Sequence, residues 1–245
     1  MPARNNLRNL IGWDQMGNIA IITARGGSKR IPRKNIKEFC GKPIIVYSIE
    51  AAKNSGIFDE VMVSTDDEEI AEISLKNGAN VPFLRSAKTS GDHSVTADVI
   101  EEVLLQYKKL GKEFDYICCI YPTAPFITTE KLRDAMSLLT SSKAEAVLPV
   151  VKFSFPPQRA TIIRNGKVAM KWPEYMNTRS QDLEEYYHDC GQFYIMEADS
   201  FSKNKKLITD NTIPYLIPET EVQDIDNLED WAIAEMKYKL IINRE

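Results

Sequence analysis

One stretch of the chain is dense in residues suited to phosphate chemistry: Ala24-Arg25-Gly26-Gly27-Ser28-Lys29-Arg30-Ile31-Pro32-Arg33-Lys34-Asn35. Adjacent glycines permit a tight turn with exposed N–H groups. Successive N–H groups make an anion-binding nest. Five cations, Arg25, Lys29, Arg30, Arg33 and Lys34, stand within ten residues. A bare turn has no need of that density, whereas a triphosphate must be neutralised before a nucleophile approaches phosphorus. Arginine grips two phosphate oxygens at once, and lysine acts as a point charge. The pattern is neither a Walker A loop nor the Gly-x-Gly-x-x-Gly dinucleotide turn. The plainer alternative is a solvated basic turn.

Three further patterns carry candidate chemistry. In Asp224-Ile225-Asp226 an extended backbone puts both carboxylates on one side. Paired carboxylates beside a triphosphate suit Mg²⁺. The same aspartates are also placed to cap a helix starting near Leu228. Tyr121-Pro122-Thr123-Ala124-Pro125 follows an apolar run. Its prolines end a strand and stiffen the loop, and Thr123 is a candidate ligand contact. The segments Asn177-Thr178-Arg179-Ser180-Gln181 and Tyr187-His188-Asp189-Cys190-Gly191-Gln192 are polar and aromatic. His188 can titrate, hydrogen-bond or meet a carboxylate. Simple strand termination and a generic polar loop are the competing readings.

These residues need elements to hold them. Apolar runs at Asn18–Thr23, Glu60–Ser64, Asn80–Leu84, Tyr116–Ile120 and Ala146–Val151 read as buried strands. Helical spacing covers 42–54, 67–77, 95–110 and 129–140, with Gly56 a C-cap after the first. This alternation predicts βαβ units and a Rossmann-like, doubly wound, mostly parallel α/β sheet. Ligands then bind past the carboxyl ends of the strands, at the loops after Thr23, Ser64 and Ile120. The rhythm breaks after Lys152. Thr161–Met170 reads as a hairpin with an Asn-Gly turn. Residues 152–188 are expected to form an inserted arm, serving as a lid or dimer contact. A strand at 192–196, a strand at 213–216 and a helix at 228–240 complete the domain, which spans 18–245. Residues 1–17 read as a loose extension, with Met16 a possible alternative start.

Composition narrows the class. The 245 residues are 43% hydrophobic and 27% charged, with net charge −4. That argues against wrapping nucleic acid. No run reaches the length of a membrane span, and the N-terminal apolar run is too short for a signal core. Cys40, Cys118, Cys119 and Cys190 form no Cys-x-x-Cys pair. They read as reduced thiols of a cytoplasmic protein.

The Ala24–Asn35 stretch resembles the signature of the acylneuraminate cytidylyltransferases, the CMP-sialic acid synthetases. The resemblance runs from Asn18 to the last helix. Cys119–Phe126, Phe155–Ala160, Asn177–Asp182 and Tyr187–Tyr194 are similar to the branch that acts on pseudaminic acid. The resemblance implies a nucleotide-diphospho-sugar transferase fold and transfer of CMP from CTP to the anomeric hydroxyl of a nonulosonic acid. Pseudaminic acid is the first candidate, with the product used to glycosylate flagellin or surface glycans. N-acetylneuraminic and legionaminic acids are alternatives. It implies that Ala24, Arg25, Gly26, Gly27, Ser28, Lys29 and Lys34 meet the nucleotide, with Asn35 at cytosine. Arg85, Asp92 and Thr96 would complete the nucleotide site. Arg25, Lys29, Lys34 and Asp226 would be catalytic, and Asp224 with Asp226 would hold Mg²⁺. Tyr121, Thr123, Arg179, Gln181, His188 and Gln192 would face the sugar, and the arm would pair two subunits. Three positions depart from the family. Ser86 replaces a proline, Tyr121 stands where sialic-acid enzymes tend to have Gln, and His188 where they tend to have Arg. The last two turn the acceptor reading away from N-acetylneuraminic acid itself. Competing classes are a transferase for 3-deoxy-manno-octulosonate or a neutral hexose, and a non-catalytic nucleotide-binding protein.

Overall fold

Alternating apolar residues along the first strand, β1 (Asn18–Thr23), bury both of its faces. The computed structural model describes residues 16–91 and 94–242. The extension at 1–15 and Asp92 lie outside the described residues. After β1 come a short hairpin, β2 (Glu38–Phe39) and β3 (Lys42–Pro43), then α1 (Ile44–Ser55) and β4 (Glu60–Ser64). The chain continues through α2 (Glu68–Lys76), α3 (Ala87–Ser90), α4 (Thr96–Lys109), β5 (Tyr116–Ile120), α5 (Thr129–Ser141) and β6 (Ala146–Lys152). A separate hairpin, β7 (Thr161–Arg164) and β8 (Lys167–Met170), precedes β9 (Tyr187–Asp189) and β10 (Phe193–Glu197). Last come α6 (Ala198–Asn204), β11 (Thr212–Leu216) and α7 (Leu228–Ile242).

The main sheet runs β11-β6-β10-β5-β1-β4, with β9 also on β6. β1 is parallel to β4 and β5, and β11 to β6. β10 lies antiparallel between β5 and β6. The expected α/β class and mostly parallel sheet are present, with β10 reversed within the sheet and β9 also antiparallel to β6. Ile19 and Ile21 pack on one face with Ile100, Val103 and Tyr107 of α4. Ala20 and Ile22 pack on the other with Ile45 and Ile49 of α1 and Leu132 of α5. Cys118 and Cys119 divide between the same two faces. Burial pushes the Cys119 thiol up to about 12, which leaves it protonated and inert.

Two expectations are corrected. Asn80–Leu84 is not a strand, and only Asn80 bridges to Met62. Pro82 removes the donor that a ladder would need there. Tyr187 and His188 belong to the sheet rather than to an arm, because β9 pairs with the end of β6 through Val151↔His188. The β7–β8 hairpin turns through Asn165 and Gly166, both at positive φ (51° and 72°), as an Asn-Gly turn of the I′ type requires.

One cluster positions the chemistry. Ile31 of the basic loop, Ile225 of Asp224-Ile225-Asp226, and Trp231 and Ala234 of α7 are buried together with Phe39, Ile44 and Phe126. Burying an isoleucine is worth about 1.5–3 kcal/mol. Ile31 and Ile225 therefore anchor two polar segments from opposite ends of the chain against each other.

Candidate active site

The basic loop leaves β1 at its carboxyl end, where the strand N–H of Ala24 still pairs with Ser64 O at 2.9 Å. The loop is tied down by acidic groups from the β4–α2 turn. Gly26 N donates to Asp66 Oδ1 at 2.9 Å, and Arg33 grips Asp67, with Nη2 to Oδ1 at 2.9 Å, and also Glu69. The Asp67 pairing raises the Arg33 pKa further, and Arg33 lowers that of Asp67. Arg33 adopts a left-handed backbone, φ 56°. Ser28 N returns to Gly26 O at 3.0 Å. The expected nest is therefore partly used up, since the Gly26 N–H goes to Asp66 and the Ser28 N–H to Gly26 O. The anion-attracting character comes from side-chain charge.

The two glycines have different jobs. A Cβ on Gly26 would lie 2.8 Å from Asp67 Oδ2 and 3.0 Å from Asp67 Cβ. Asp67 cannot swing aside, because it accepts from Ile70 N as the α2 N-cap and from Arg33. A Cβ on Gly27 would meet nothing within 4 Å. Gly26→Ala is thus expected to cost about 1–3 kcal/mol of stability, and Gly27→Ala almost none. Thermal melts of the two variants check this. Equal melting temperatures would contradict the steric assignment.

A cavity of ≈ 380 Å³ opens beyond the loop. Arg25, Ser28, Lys29, Arg30, Lys34 and Asn35 form one side, Tyr121 and Thr123 another, and Asp226 the third; Thr23, Ile31 and Pro122 complete it. Lys34 links the sides. Its Nζ donates to Ile225 O at 2.7 Å, across 191 residues of sequence. Burial lowers its pKa, the carboxylates of Asp226 and Asp224 oppose that, and Arg30 and Arg25 add to the lowering. Arg30 Nη1 pairs with Asp226 Oδ2 at 2.6 Å. Asn35 is buried, and its Nδ2 closes the loop on Arg25 O at 2.8 Å.

The aspartate pair does not cap α7. Asn227 Oδ1 accepts from Glu229 N and Asp230 N at 2.8 and 3.0 Å, and Asp230 Oδ2 accepts from Asp226 N and Asn227 N at 2.9 and 3.0 Å. That reciprocal cap leaves the Asp224 and Asp226 carboxylates to other work. Asp226 faces the main cavity, and Asp224 lines a second one of ≈ 220 Å³ with His188, Lys152 and Lys237. Among the described residues no cluster of three or more His, Cys, Asp or Glu side chains is placed to hold a metal. A hard cation that completes its shell with phosphate oxygens and water needs only one or two carboxylates. The expected shared side is not seen, because the two aspartates line different cavities; Asp226, at the main cavity, is the carboxylate placed for such an ion, and the pair does not form an all-protein cage.

Other expected site residues lie apart from the main cavity. Arg85 is buried, with Nε on Ser64 Oγ at 3.0 Å and Nη2 on Ser64 O at 2.6 Å, and burial lowers its pKa. It props the end of β4 and does not line the cavity. Thr96 opens α4, also off the lining. Arg179 is exposed and forms a bidentate pair with Asp182 at 2.7 and 3.2 Å; neither it nor Gln181 lines the cavity. His188 meets the ring of Phe153 at a tilt of 53°, with centroids 4.7 Å apart. Gln192 is 3% exposed and donates from Nε2 to Glu221 O at 2.7 Å, so it holds the turn before Asp224. The sequence shows Arg30 only as part of the charge run and points to no site role for Asp66 or Asp67. Arg30 was visible in the charge run; the aspartates lie in an ordinary helix start.

This loop, with an acidic pair brought to it from the chain's far end on a mostly parallel sheet, defines a nucleotidyl-transferring enzyme. A family model described as cytidylyltransferase matches residues 19–216, and the chain belongs to that family. It is 39% identical over 226 residues to a pseudaminic acid cytidylyltransferase of Campylobacter jejuni, covering 92% of this chain and 97% of the relative. It is 34% identical to a CMP-N,N'-diacetyllegionaminic acid synthase of Legionella pneumophila, covering 91% and 96%. A solved CMP:2-keto-3-deoxy-manno-octonic acid synthetase complexed with CTP shares the fold, with TM-score 0.67 at 17% identity over 93% of this chain and 99% of that one.

Proposed function

We propose that the protein transfers CMP from CTP to the anomeric hydroxyl of a nonulosonic acid, pseudaminic acid first among them. The observation that carries this reading is the shared cavity: cations of the Ala24–Asn35 loop face Asp226 across a space walled by Tyr121 and Thr123. The 39% identity to a pseudaminic acid enzyme along nearly its whole length supports that acceptor. In the reaction the sugar oxygen forms a bond to the α-phosphorus, the bond from that phosphorus to the bridging oxygen breaks, and pyrophosphate leaves. The hydroxyl proton passes to solvent. Positioning and charge neutralisation do most of the work in such transfers. Arg25 and Lys29 offset the charge that grows on pyrophosphate, and Lys34 holds the loop against the aspartate segment. Asp224 and Asp226 would hold Mg²⁺, which neutralises phosphate charge when bound.

The exposed apolar side chains of the β7–β8 region, Phe155, Ile163 and Val168, support a homodimer built through the arm. Arg179, in the same region, would then reach the sugar carboxylate in the assembled dimer. Arg179→Ala is expected to raise the acceptor KM while leaving the CTP KM unchanged; an unchanged acceptor KM removes Arg179 from the site. Four free cysteines, three of them buried, support work in a reducing compartment, the cytoplasm.

Pyrophosphate release, measured across the four nucleoside triphosphates with each candidate acid, tests the proposal. Release with CTP and pseudaminic acid is expected. Release only with 3-deoxy-manno-octulosonate or a hexose phosphate would overturn the acceptor. CTP binding without release for any acceptor would leave a nucleotide-binding protein and overturn the transferase reading.

A further inference from the structure

Tyr121 is fixed more firmly than a loop residue needs to be. Its N–H donates to Gln192 O at 2.9 Å, and its carbonyl accepts from Ser48 Oγ at 2.8 Å. Its ring meets that of Tyr194 edge-on, with centroids 5.6 Å apart at 79°, and the two hydroxyl oxygens are 3.4 Å apart. Tyr194 is 5% exposed and hydrogen-bonds Asp189 Oδ2. The other Asp189 oxygen accepts from Gly191 N at 2.7 Å. Gly191, at φ 61°, makes the break between β9 and β10 that brings Asp189 under Tyr194.

Proton counting gives this chain a direction. A phenol has one proton, and an ionised carboxylate only accepts. The Tyr194 proton therefore goes to Asp189, the stronger acceptor. Tyr194 then offers only lone pairs to Tyr121, so a hydrogen bond between the two hydroxyls, 3.4 Å apart, runs from Tyr121 to Tyr194. With that bond made, the Tyr121 proton turns toward the protein interior, and its oxygen presents lone pairs to the cavity it lines. Burial and the Asp189 bond push the Tyr194 phenol well above the ordinary tyrosine range, so the direction holds at ordinary pH.

We infer that Asp189 and Tyr194 are positioning residues that set Tyr121 as a hydrogen-bond acceptor, so that the site selects sugars presenting an O–H or N–H at this wall and disfavours those presenting an anionic oxygen there. The inference rests on the acceptor site proposed above. A glutamine at this position would offer both a donor and an acceptor; the tyrosine chain offers one polarity.

The test uses the full-length enzyme. Tyr194→Phe and Tyr121→Phe are each expected to raise the KM for pseudaminic acid about three- to ten-fold, the worth of one neutral hydrogen bond, with the CTP KM held within about twofold. The double variant should be no worse than Tyr121→Phe alone, because both changes remove the same interaction. Multiplying effects, or an unchanged acceptor KM, would overturn the inference.

A second measurement does not depend on turnover. In Asp189→Asn, Gly191 N–H retains the amide oxygen, so the amide nitrogen faces Tyr194 and reverses the chain. With ¹³Cζ-labelled tyrosine, the Tyr121 resonance, assigned by its loss in Tyr121→Phe, should shift in Asp189→Asn. Product formation with an unmoved signal overturns the chain. A moved signal with no CMP-sugar from any acid overturns the acceptor reading, and the selection with it.

Discussion

Asp226→Ala is expected to lower turnover by about 10²- to 10³-fold, the usual cost of deleting one preorganised charge partner of a transition state, while the protein keeps its fold. Retention of the fold follows from the division of labour in this segment. Asn227 and Asp230 supply the cap of α7, and Ile225 supplies the anchorage in the apolar cluster. What Asp226 gives up is its pair with Arg30, in which the side chains are 40% and 66% exposed. An exposed pair of that sort is worth about 0–1 kcal/mol. The variant should melt within a degree or two of the parent, with kcat collapsed and the Mg²⁺ dependence flattened. Near-normal turnover would remove Asp226 from the catalytic machinery. A collapsed melting temperature would make it a structural residue.

Lys34→Met is the second large effect. Methionine keeps the length of the stem and removes the charge and the donor. Ile225 O then loses the partner that Lys34 Nζ provides at 2.7 Å, a deficit of about 1–3 kcal/mol for a buried carbonyl. The two carboxylates also lose the cation that faces them. The loop and the aspartate segment are expected to separate slightly, and in phosphoryl transfer a misplacement of that kind costs about 10²-fold. The variant should therefore lose both activity and several degrees of thermal stability, unlike Asp226→Ala, which loses activity alone. Kinetics at saturating CTP separate kcat from KM. A variant impaired only in KM would place Lys34 in uniform nucleotide binding.

The parts of this molecule legible in the sequence are those set by local pattern. The β1 alternation, the Gly56 stop of α1, the helix starting at Asp67 and the Asn165-Gly166 turn follow from side-chain period and turn chemistry. Asn80–Leu84 misled because its apolar content outweighed Pro82. The orientation of β10 was not legible, since it depends on how the chain returns from β9 along β6. Within the site, the loop was read from its charge density, yet the proximity of Asp226 to Arg30 and Lys34 is a product of the packing of Ile31 against Ile225 and Trp231, which no spacing encodes. The resemblance groups Gln192 with the sugar contacts; its Nε2 goes to Glu221 O, and its buried Oε1 has no hydrogen-bond partner. It places Asn35 at the base; Asn35 lines the main cavity, and its Nδ2 closes the loop on Arg25 O. Tyr194 and Asp189 drew attention only as parts of a polar segment. Their role depends on a hydroxyl pair formed between β10 and the loop that follows β5.

The central claim is that the Ala24–Asn35 loop, with the aspartates behind it, delivers CMP to an acidic nine-carbon sugar. Product mass tests it most directly. Purified protein is incubated with CTP and Mg²⁺, separately with pseudaminic, legionaminic and N-acetylneuraminic acids, and the products are read by mass spectrometry. A CMP adduct formed fastest with pseudaminic acid is the predicted result. No CMP adduct with any of the three would contradict the account, and one formed only with N-acetylneuraminic acid would contradict its assignment of the acceptor.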